Sequence, residues 1–436
     1  MSAPSPKSLS FARSSTRRRL QLTELERTDD PLIREERRRA VCALLTRPLL
    51  TESGPDRILV ARHQDWLGLW FSHHIGWELS VDADACRLIK RPADTLDDSR
   101  PCRDPSTKES TLSKRGYVFL CLTLSVLVRS DRQITLKYLA ENLSGIGTVN
   151  PVFMENRIDL RLDERPARRD LVQALRVLLD WRVLVRVDGM EDGFVASEQT
   201  DALYTVNRAI LSRLLAVRQP PSLVKTSDFE QRLHAIWKGA STRDSDELAN
   251  RNIRFTLFRR LIDDPVLYYA DLSQPEREYL EKQQHFIIRE IEKATGLIGE
   301  VRREGIAMVD RSAELSDYSL PESGTDGHLT LLLATFLANH LRGKNDAPVP
   351  FSALEAETRA MAKKHKTWRK DARTPGSETH LTRAAISRLA ALDLIRIHGE
   401  APDLTIVPLP AIARFGLKAQ SPEIPDPPPQ SDLFPQ

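Results

Sequence analysis

The sequence predicts an α+β protein that is predominantly helical and contains tandem winged-helix domains, two of them clear and up to four in all, joined by helical connectors. An amphipathic helix runs directly into a short β-hairpin at about residues 170–196 and again at about residues 380–407. The two copies align without a gap up to the turn when Gly189 is matched with Gly399, an offset of 210 residues. A helix followed by a two-stranded ribbon is the second half of a winged helix.

The first clear winged-helix domain is predicted over residues 114–200. Tyr117 to Val128 is almost wholly apolar, which predicts a helix buried on most sides. Thr135 is expected to cap the helix that follows it, and Pro166 to start the third helix, because proline is tolerated in the first turn. The other predicted parts are a strand at Ile134–Thr135, a helix at Leu136–Leu143, an insertion at 144–165, a wing strand at Val183–Gly189 and its return through Phe194–Ala196.

The second clear winged-helix domain is predicted over residues 324–415. Its first helix is the apolar stretch Leu329–Leu341, and Ser352 with Glu355 forms a capping-box pattern for the second helix. The third helix is expected to begin at Ser377. The other predicted parts are a strand at Val349–Phe351 and a wing formed by Leu394–Gly399 and Leu404–Val407.

The rest of the chain shows the same pattern less clearly. Residues 29–92 are expected to form an N-terminal helical and hairpin segment, and residues 91–113 resemble a linker. A central helical region with a hairpin is expected over 201–320; it starts with a helix at 201–217 and includes a helix that Gly296 ends. Further expectations are helices at 35–50 and 56–72, strands at 77–81 and 87–90, a disordered basic N-terminus at 1–28 and a disordered proline-rich tail at 418–436.

Composition limits the functional classes. The net charge is only +3, from 64 Lys and Arg against 61 Asp and Glu, so nucleic-acid binding must rest on local clusters. The longest apolar runs are shorter than the roughly 20 residues of a membrane span, and the polar N-terminus shows no secretory signal. The four cysteines lack CxxC spacing, which favours free thiols in a reducing cytoplasm. We therefore expect a cytoplasmic protein without a membrane partner.

One candidate DNA-binding surface lies on the third helix of the first domain. Arg169, Gln173, Arg176 and Asp180 recur at helical spacing opposite the apolar stripe. Arg182 and Arg186 extend this surface onto the wing. In a DNA-binding winged helix such a helix enters the major groove while the wing contacts phosphate, but a solvated helix face would show the same pattern.

A denser basic cluster lies between the second and third helices of the second domain. Trp368 stands among these cations, and it either stacks on a nucleic acid or folds back onto the core. Phosphate contact is one interpretation of the cluster, and a solvated loop is the other. The cluster comprises Lys363, Lys364, His365, Lys366, Arg369, Lys370 and Arg373.

Sequence signatures of catalysis are missing. The chain contains no phosphate-binding glycine loop, no H-E-x-x-H zinc motif and no G-x-S-x-G nucleophile motif. His73 and His74 are adjacent, so they point to different faces of a helix and are unsuited to sharing a metal. We expect a protein that is not an enzyme and that uses no cofactor or metal.

Six stretches resemble one protein family across about residues 30–415. They resemble the second gene product of type II Wadjet clusters, a family similar to the KITE (MukE-like) subunits of SMC complexes. These stretches are fingerprints of the family and carry no catalytic residues. They are Glu36–Leu50, Leu203–Arg208, Asp264–Tyr269, Ala294–Gly299, Arg303–Asp310 and Gly324–Leu333.

The resemblance implies a non-catalytic architectural subunit of a DNA loop-extruding complex for defence against plasmids. Such a subunit is expected to form a homodimer, to bind a kleisin, to reach an SMC-like ATPase through that kleisin, and to contact double-stranded DNA. The chain is larger than a minimal subunit with two winged helices. The alternatives are a sequence-specific transcriptional regulator that uses Arg169 and Arg176 and, less favoured, a metal-dependent nuclease.

Overall fold

The computed structural model describes residues 30–416, with gaps at 95, 98, 108–109, 157, 198, 215–220, 239–245, 319, 344–346 and 400–402. The segments 1–28 and 418–436, for which disorder is expected, lie outside the described residues. Two compact units are formed. One contains the residues up to Arg259 together with Tyr279–Gly296, and the other contains Arg260–Glu278 together with the residues from Leu297 onward.

Most of the described residues are helical, and short strands lie between the helices. The helices are α1 Pro31–Thr46, α2 Pro55–Arg62, α3 Gln64–Trp70, α4 Lys114–Arg129, α5 Leu136–Val149, α6 Pro151–Glu155, α7 Arg165–Asp180, α8 Asp192–Ala196, α9 Arg208–Arg213, α10 Phe229–Lys238, α11 Asp246–Asp263, α12 Gln274–Thr295, α13 Thr325–Arg342, α14 Phe351–Lys364 and α15 Ser377–Ala391. The strands are β1 Leu49–Leu50, β2 Glu78–Val81, β3 Cys86–Ile89, β4 Gln133–Thr135, β5 Leu184–Gly189, β6 Ala202–Val206, β7 Leu267–Tyr268, β8 Ile298–Val301, β9 Gly305–Val309, β10 Val349–Pro350, β11 Ile395–His398 and β12 Thr405–Pro408.

The strands form four antiparallel three-stranded sheets with one shared topology. In each sheet the last strand in sequence lies in the middle, which gives the orders β1-β3-β2, β4-β6-β5, β7-β9-β8 and β10-β12-β11. A helix precedes the first strand of each sheet, and one or more helices separate the first strand from the hairpin. These are four winged-helix modules, here numbered 1 to 4 in chain order, and the predicted fold class is confirmed.

Module 2 is built around the apolar helix expected from the sequence. As predicted, Thr135 caps α5 by accepting a hydrogen bond from the Tyr138 amide. Ser113 also caps α4, by accepting a hydrogen bond from the Gly116 amide. Phe119 on α4 and Leu171 on α7 are fully buried in the same core. The described part of 144–165 is not a simple insertion, because α5 continues to Val149 and α6 follows.

The return strand of the module 2 wing was predicted at the wrong place. Phe194–Ala196 belong to helix α8, and Phe194 is buried in the core. The strand that closes the sheet is β6, within the segment expected to be a helix at 201–217. Ala202, Tyr204 and Val206 are buried while the residues between them are partly exposed, which is the period-two pattern of a strand. Helix α9 begins only at Arg208.

The two clear wings are offset by 211 residues at their bases, so the gapless alignment at 210 was wrong there. Left-handed residues follow the helices at Arg182 (φ 58°) and Asp393 (φ 53°). In the sheets, Arg186 lies opposite Tyr204, and its counterpart Ile397 lies opposite Ile406. A β-bulge between Arg186 and Asp188 inserts one residue and restores the offset of 210 at the turn glycines.

In module 4 the capping box was predicted at the wrong residue. Helix α14 begins at Phe351, whose amide donates to the Leu404 carbonyl, and Ser352 makes no capping bond. Glu355 instead accepts a hydrogen bond from Thr379 at 2.5 Å, which joins the second helix of the module to the third.

Module 1 departs from the predicted pair of helices. Helix α1 ends at Thr46, so Leu49 and Leu50 form a strand rather than the end of the helix. The second predicted helix is divided at His63 into α2 and α3 and ends in a π-helical turn, Phe71–Ile75. In module 3, Gly296 (φ 80°) follows the last residue of α12, as predicted. Across the described residues, every helix is too short or too polar to cross a membrane.

Candidate nucleic-acid interface

The basic cluster of module 4 lies at the surface between α14 and α15. Lys363 and Lys364 occupy the last turn of α14, where cations are stabilised by the helix dipole. Lys366 follows in the loop, and Lys370 and Arg373 belong to a short 3₁₀ turn. All five side chains are exposed, and they make no ion pair within the described residues. The loop then leads into α15, the third helix of the winged helix.

Trp368 is the anchor of this loop rather than an exposed ring. It is only 5% exposed, and its indole Nε1 donates a hydrogen bond to His328 Nδ1 at 3.2 Å. The His365 ring stacks on the indole with centroids 5.2 Å apart and an interplanar angle of 16°. Desolvation, followed by the charges of His328 and Lys364, lowers the pKa of His365. The interpretation in which Trp368 folds back onto the core is therefore confirmed.

Arg369 differs from the lysines around it because it is ion-paired. Its guanidinium lies 3.0 Å from the Asp326 carboxylate and 3.2 Å from that of Asp371. Its backbone amide also donates to Thr325 at 3.1 Å, at the start of α13. Arg369 therefore ties the loop to the first helix of the module, and the remaining cations are the ones open to a phosphate.

The third helix of module 4 presents an uncovered polar face beside the loop. His380, Arg383 and Ser387 on α15 are exposed, while Leu381, Ala385 and Leu389 face the core. Glu378, in the first turn, is paired with Arg359 of α14 at 2.6 Å. This is the helix that enters the major groove in DNA-binding winged helices.

The corresponding helix of module 2 is covered by its own chain. Arg176 lies 2.7 Å from the Asp104 carboxylate, which is 1% exposed, and 2.5 Å from that of Asp192. The Gln173 amide donates to Ser110 at 3.0 Å and is itself buried. The covering segment consists of the described residues of 102–112, and a bridge between Arg103 and Thr111 closes it. Gln173 and Arg176 are therefore not on an open face, contrary to the helical-spacing argument.

Asp104 holds this covering segment to α7. Burial alone would raise the pKa of its carboxyl, but hydrogen bonds from Ser106 and the charge of Arg176 outweigh burial and keep the pKa below its ordinary value. The carboxylate therefore stays charged opposite Arg176. Sequence reasoning missed Asp104 because it precedes Arg176 by 72 residues and lies in a stretch that resembles a linker.

The other arginines predicted in module 2 differ in their surroundings. Arg182 is ion-paired with Glu52, and Arg186 with the buried Glu191, which also accepts from the Tyr204 hydroxyl at 3.4 Å. Arg169 is exposed and makes no ion pair within the described ranges. The structure thus pairs Arg176, Arg182 and Arg186 with carboxylates and leaves Arg169 as the open cation among the four arginines predicted in module 2.

Comparison with known proteins identifies a family. The model of the family described as "Protein of unknown function (DUF2398)" matches residues 41–418. This chain belongs to the DUF2398 family. No curated protein and no solved structure matches it. In this DUF2398 protein, no group of three or more His, Cys, Asp or Glu side chains could hold a metal ion within the described residues.

Proposed function

We propose that this DUF2398 protein is a non-catalytic, KITE-like architectural subunit of a cytoplasmic, SMC-type, loop-extruding complex that defends against plasmids. In this proposal it binds a kleisin and contacts the DNA backbone. The observation that carries the DNA part is the open basic loop of module 4, held in place by Trp368 and Arg369 beside an uncovered third helix. The resemblance to KITE subunits supports the partner part.

The chemistry of the loop favours phosphate over base edges. Four of the five open cations are lysines, whose ammonium groups are compact point charges without the planar fork of arginine, and this favours contact with phosphate over recognition of bases. Because the net charge is only +3, attraction to DNA must come from local clusters of cations such as this loop. A loop-extruding complex needs a contact that does not depend on sequence, because it moves over DNA of any sequence.

Module 2 offers a surface better suited to a protein partner. Strand β5 lies at one edge of its sheet, and Val185, Val187 and Met190 are 40%, 52% and 64% exposed. An edge strand with exposed apolar side chains is a site where an extended peptide adds to a sheet. This edge is the part of the described surface that we assign to the kleisin.

Charge reversal tests the DNA contact. The triple variant Lys363→Glu, Lys364→Glu, Lys366→Glu should bind a non-specific duplex at least about tenfold more weakly at physiological salt, because it loses three phosphate contacts. Fluorescence anisotropy with the purified protein measures this. The matched control reverses Lys114, Lys137 and Lys282, which are equally exposed on other helices. Equal losses in both triple variants would contradict the assignment of the loop.

Copurification tests the partners. The tagged protein, recovered from its host after nuclease treatment, should bring down a kleisin and a coiled-coil ATPase in fixed proportion. Val187→Lys in β5 should reduce recovery of the kleisin, whereas Val149→Lys at the end of α5, also highly exposed, should not. Recovery of the protein alone, with full DNA affinity, would favour the alternative below.

A sequence-specific transcriptional regulator is the second candidate. The uncovered face of α15, with His380 and Arg383, favours it, because a recognition helix could read bases there. A discrete footprint on DNA near its own gene, lost on substitution of Arg383, would support this function over the architectural one.

A further inference from the structure

The first helix of module 1 and the first helix of module 3 share a set of buried positions. Three almost inaccessible side chains recur with the same spacing, at Ala40, Val41 and Leu44 in α1 and at Leu257, Phe258 and Leu261 in α11. This match places Arg38 at the position of Phe255 and Cys42 at the position of Arg259.

The last helical segments of the two modules match in the same way. Five buried positions within residues 67–75, at the end of the helices of module 1, recur 220 residues later in α12. Each segment then ends at a left-handed glycine, Gly76 (φ 71°) or Gly296 (φ 80°), directly before the hairpin. The buried sets are Leu67, Trp70, Phe71, His74 and Ile75, and Ile287, Glu290, Ile291, Ala294 and Thr295.

These equivalent residues contact each other crosswise within the first compact unit. The Phe255 ring lies against Gly76, and the Arg38 side chain lies against Gly296. Arg259 Nε donates to the Ile75 carbonyl at 3.0 Å, and Cys42 Sγ to the Thr295 carbonyl at 3.3 Å. Each contact therefore occurs twice with the modules exchanged, which is the pattern of the self-complementary interface in a two-fold dimer.

The close approach requires glycine on at least one side. A Cβ atom at Gly76 would lie 2.5 Å from the Phe255 ring, and the left-handed backbone disfavours any side chain there. At Gly296 a Cβ atom would lie 3.2 Å from Arg38 Cδ, a tighter approach than ordinary van der Waals contact. The two sides are thus equivalent in position but differ in residue type.

Each of these modules also contacts the module that follows it. In the first unit, the sheet of module 1 meets the end of module 2, where Arg213 is ion-paired with Asp82 and Arg87 donates to the Leu214 carbonyl. In the second unit, Arg414, after the last strand of module 4, is ion-paired with Glu300 of module 3 at 3.1 Å. Tandem modules are joined in the same order in both halves of the chain.

We propose that the chain is an internal duplication, in which residues 31–213 and 246–415 are the two protomers of a fused dimer. The crosswise interface takes the place of a homodimer interface, so the isolated protein is a monomer. This replaces the homodimer expected from the resemblance. In a complex, one copy of this chain would take the place of a KITE-like homodimer, and this part of the inference rests on the proposed function. The monomeric state of the isolated chain does not depend on it.

The mass in solution is the first test. Size-exclusion chromatography with light scattering should give one species of 49.4 kDa that does not change with concentration over the micromolar range. A stable species of twice that mass would overturn the proposal. Neither DNA nor a kleisin is present, so this result is independent of the proposed function.

Cleavage between the halves is the second test. A site-specific protease sequence replaces residues 239–245, and the folded full chain is then cut. The two fragments should remain associated during chromatography, and Phe255→Ala should weaken their association by roughly tenfold or more. Phe229→Ala, at a phenylalanine that is 69% exposed, is the matched control. Fragments that separate on cleavage, or equal effects of the two substitutions, would overturn the proposal.

Discussion

His74 is a buried imidazole, and neither of its ring nitrogens has a hydrogen-bond partner within the described residues. It is 2% exposed, in the π-helical turn of module 1, and its ring packs against Trp70, Phe258 and Phe286. Burial, followed by the charges of His73 and Arg254, lowers its pKa to about 3. Between about pH 3 and pH 6.5 the ring is therefore neutral in the folded protein, whereas it is protonated in the unfolded chain.

This histidine should make the protein sensitive to acid. The pKa of His74 is lower in the folded than in the unfolded state. The free energy of unfolding is therefore highest above pH 6.5 and falls as the pH decreases toward 3. Between pH 6.5 and pH 5 the loss is about 2 kcal/mol. His74→Leu should add about 1 kcal/mol to the free energy of unfolding at neutral pH, since it removes unsatisfied nitrogens, and should flatten the acid dependence.

Urea unfolding at pH 7.5 and pH 5 measures both effects. His398→Leu, at an exposed histidine on β11, is the control and should follow the wild type at both pH values. A His74→Leu variant as acid-sensitive as the wild type would mean that the ring is protonated in the folded state.

At the scale of elements, the segment 102–112 behaves as part of module 2. Asp104→Ala leaves Arg176 with the exposed Asp192 as its carboxylate partner, and the segment is then held to α7 by the weaker hydrogen bonds of Ser106 and Ser110. The expected loss in the free energy of unfolding is about 2 kcal/mol, below the value for a fully buried pair because Arg176 keeps some solvent. Asp94→Ala, on an exposed carboxylate nearby, should change stability by less than about 0.5 kcal/mol. Thermal denaturation compares the two variants.

Local patterns predicted the elements whose signals are local. The apolar run at Tyr117–Val128 and the threonine cap at Thr135 depend on neighbours a few residues away, and the helix and cap form as expected. The return strand of the module 2 wing was misplaced because Asp201–Val217 carries apolar residues at helical spacing, while sheet pairing selects period two at its start. Propensity is a weak prior where tertiary pairing decides.

Contacts distant in sequence left no comparable signal. The cover over α7 depends on a pair 72 residues apart, and the offset between the wings shifts at a one-residue bulge that has no distinctive residue type. The crosswise interface was not predicted because Arg38 and Phe255, or Cys42 and Arg259, share a position but no chemistry.

For the whole molecule, the proposed affinity for DNA should depend on the salt concentration through a small number of charges. Five exposed cations of the module 4 loop make no ion pair in the described structure. Five phosphate contacts predict a slope of about −4.5 for the logarithm of the association constant against the logarithm of the salt concentration. Anisotropy titrations from 50 to 300 mM KCl on two unrelated duplexes of equal length measure it.

The same titrations separate the loop from a general electrostatic attraction. The triple reversal at Lys363, Lys364 and Lys366 should reduce the magnitude of the slope by about 3, and both duplexes should give the same result. A slope that differs between the duplexes, or that survives the reversal, would place the contacts elsewhere on the molecule.

The unequal sides of the crosswise interface have a genetic consequence. In a homodimer encoded by one gene, any mutation is present in both subunits. A ring that packs against a glycine on one side of the interface would then pack against the same glycine on the other side. Here Phe255 faces Gly76 while Arg38 faces Gly296, and each codon is expressed once per interface. In such a chain the third helix of module 2 can be covered by another segment while the third helix of module 4 stays exposed.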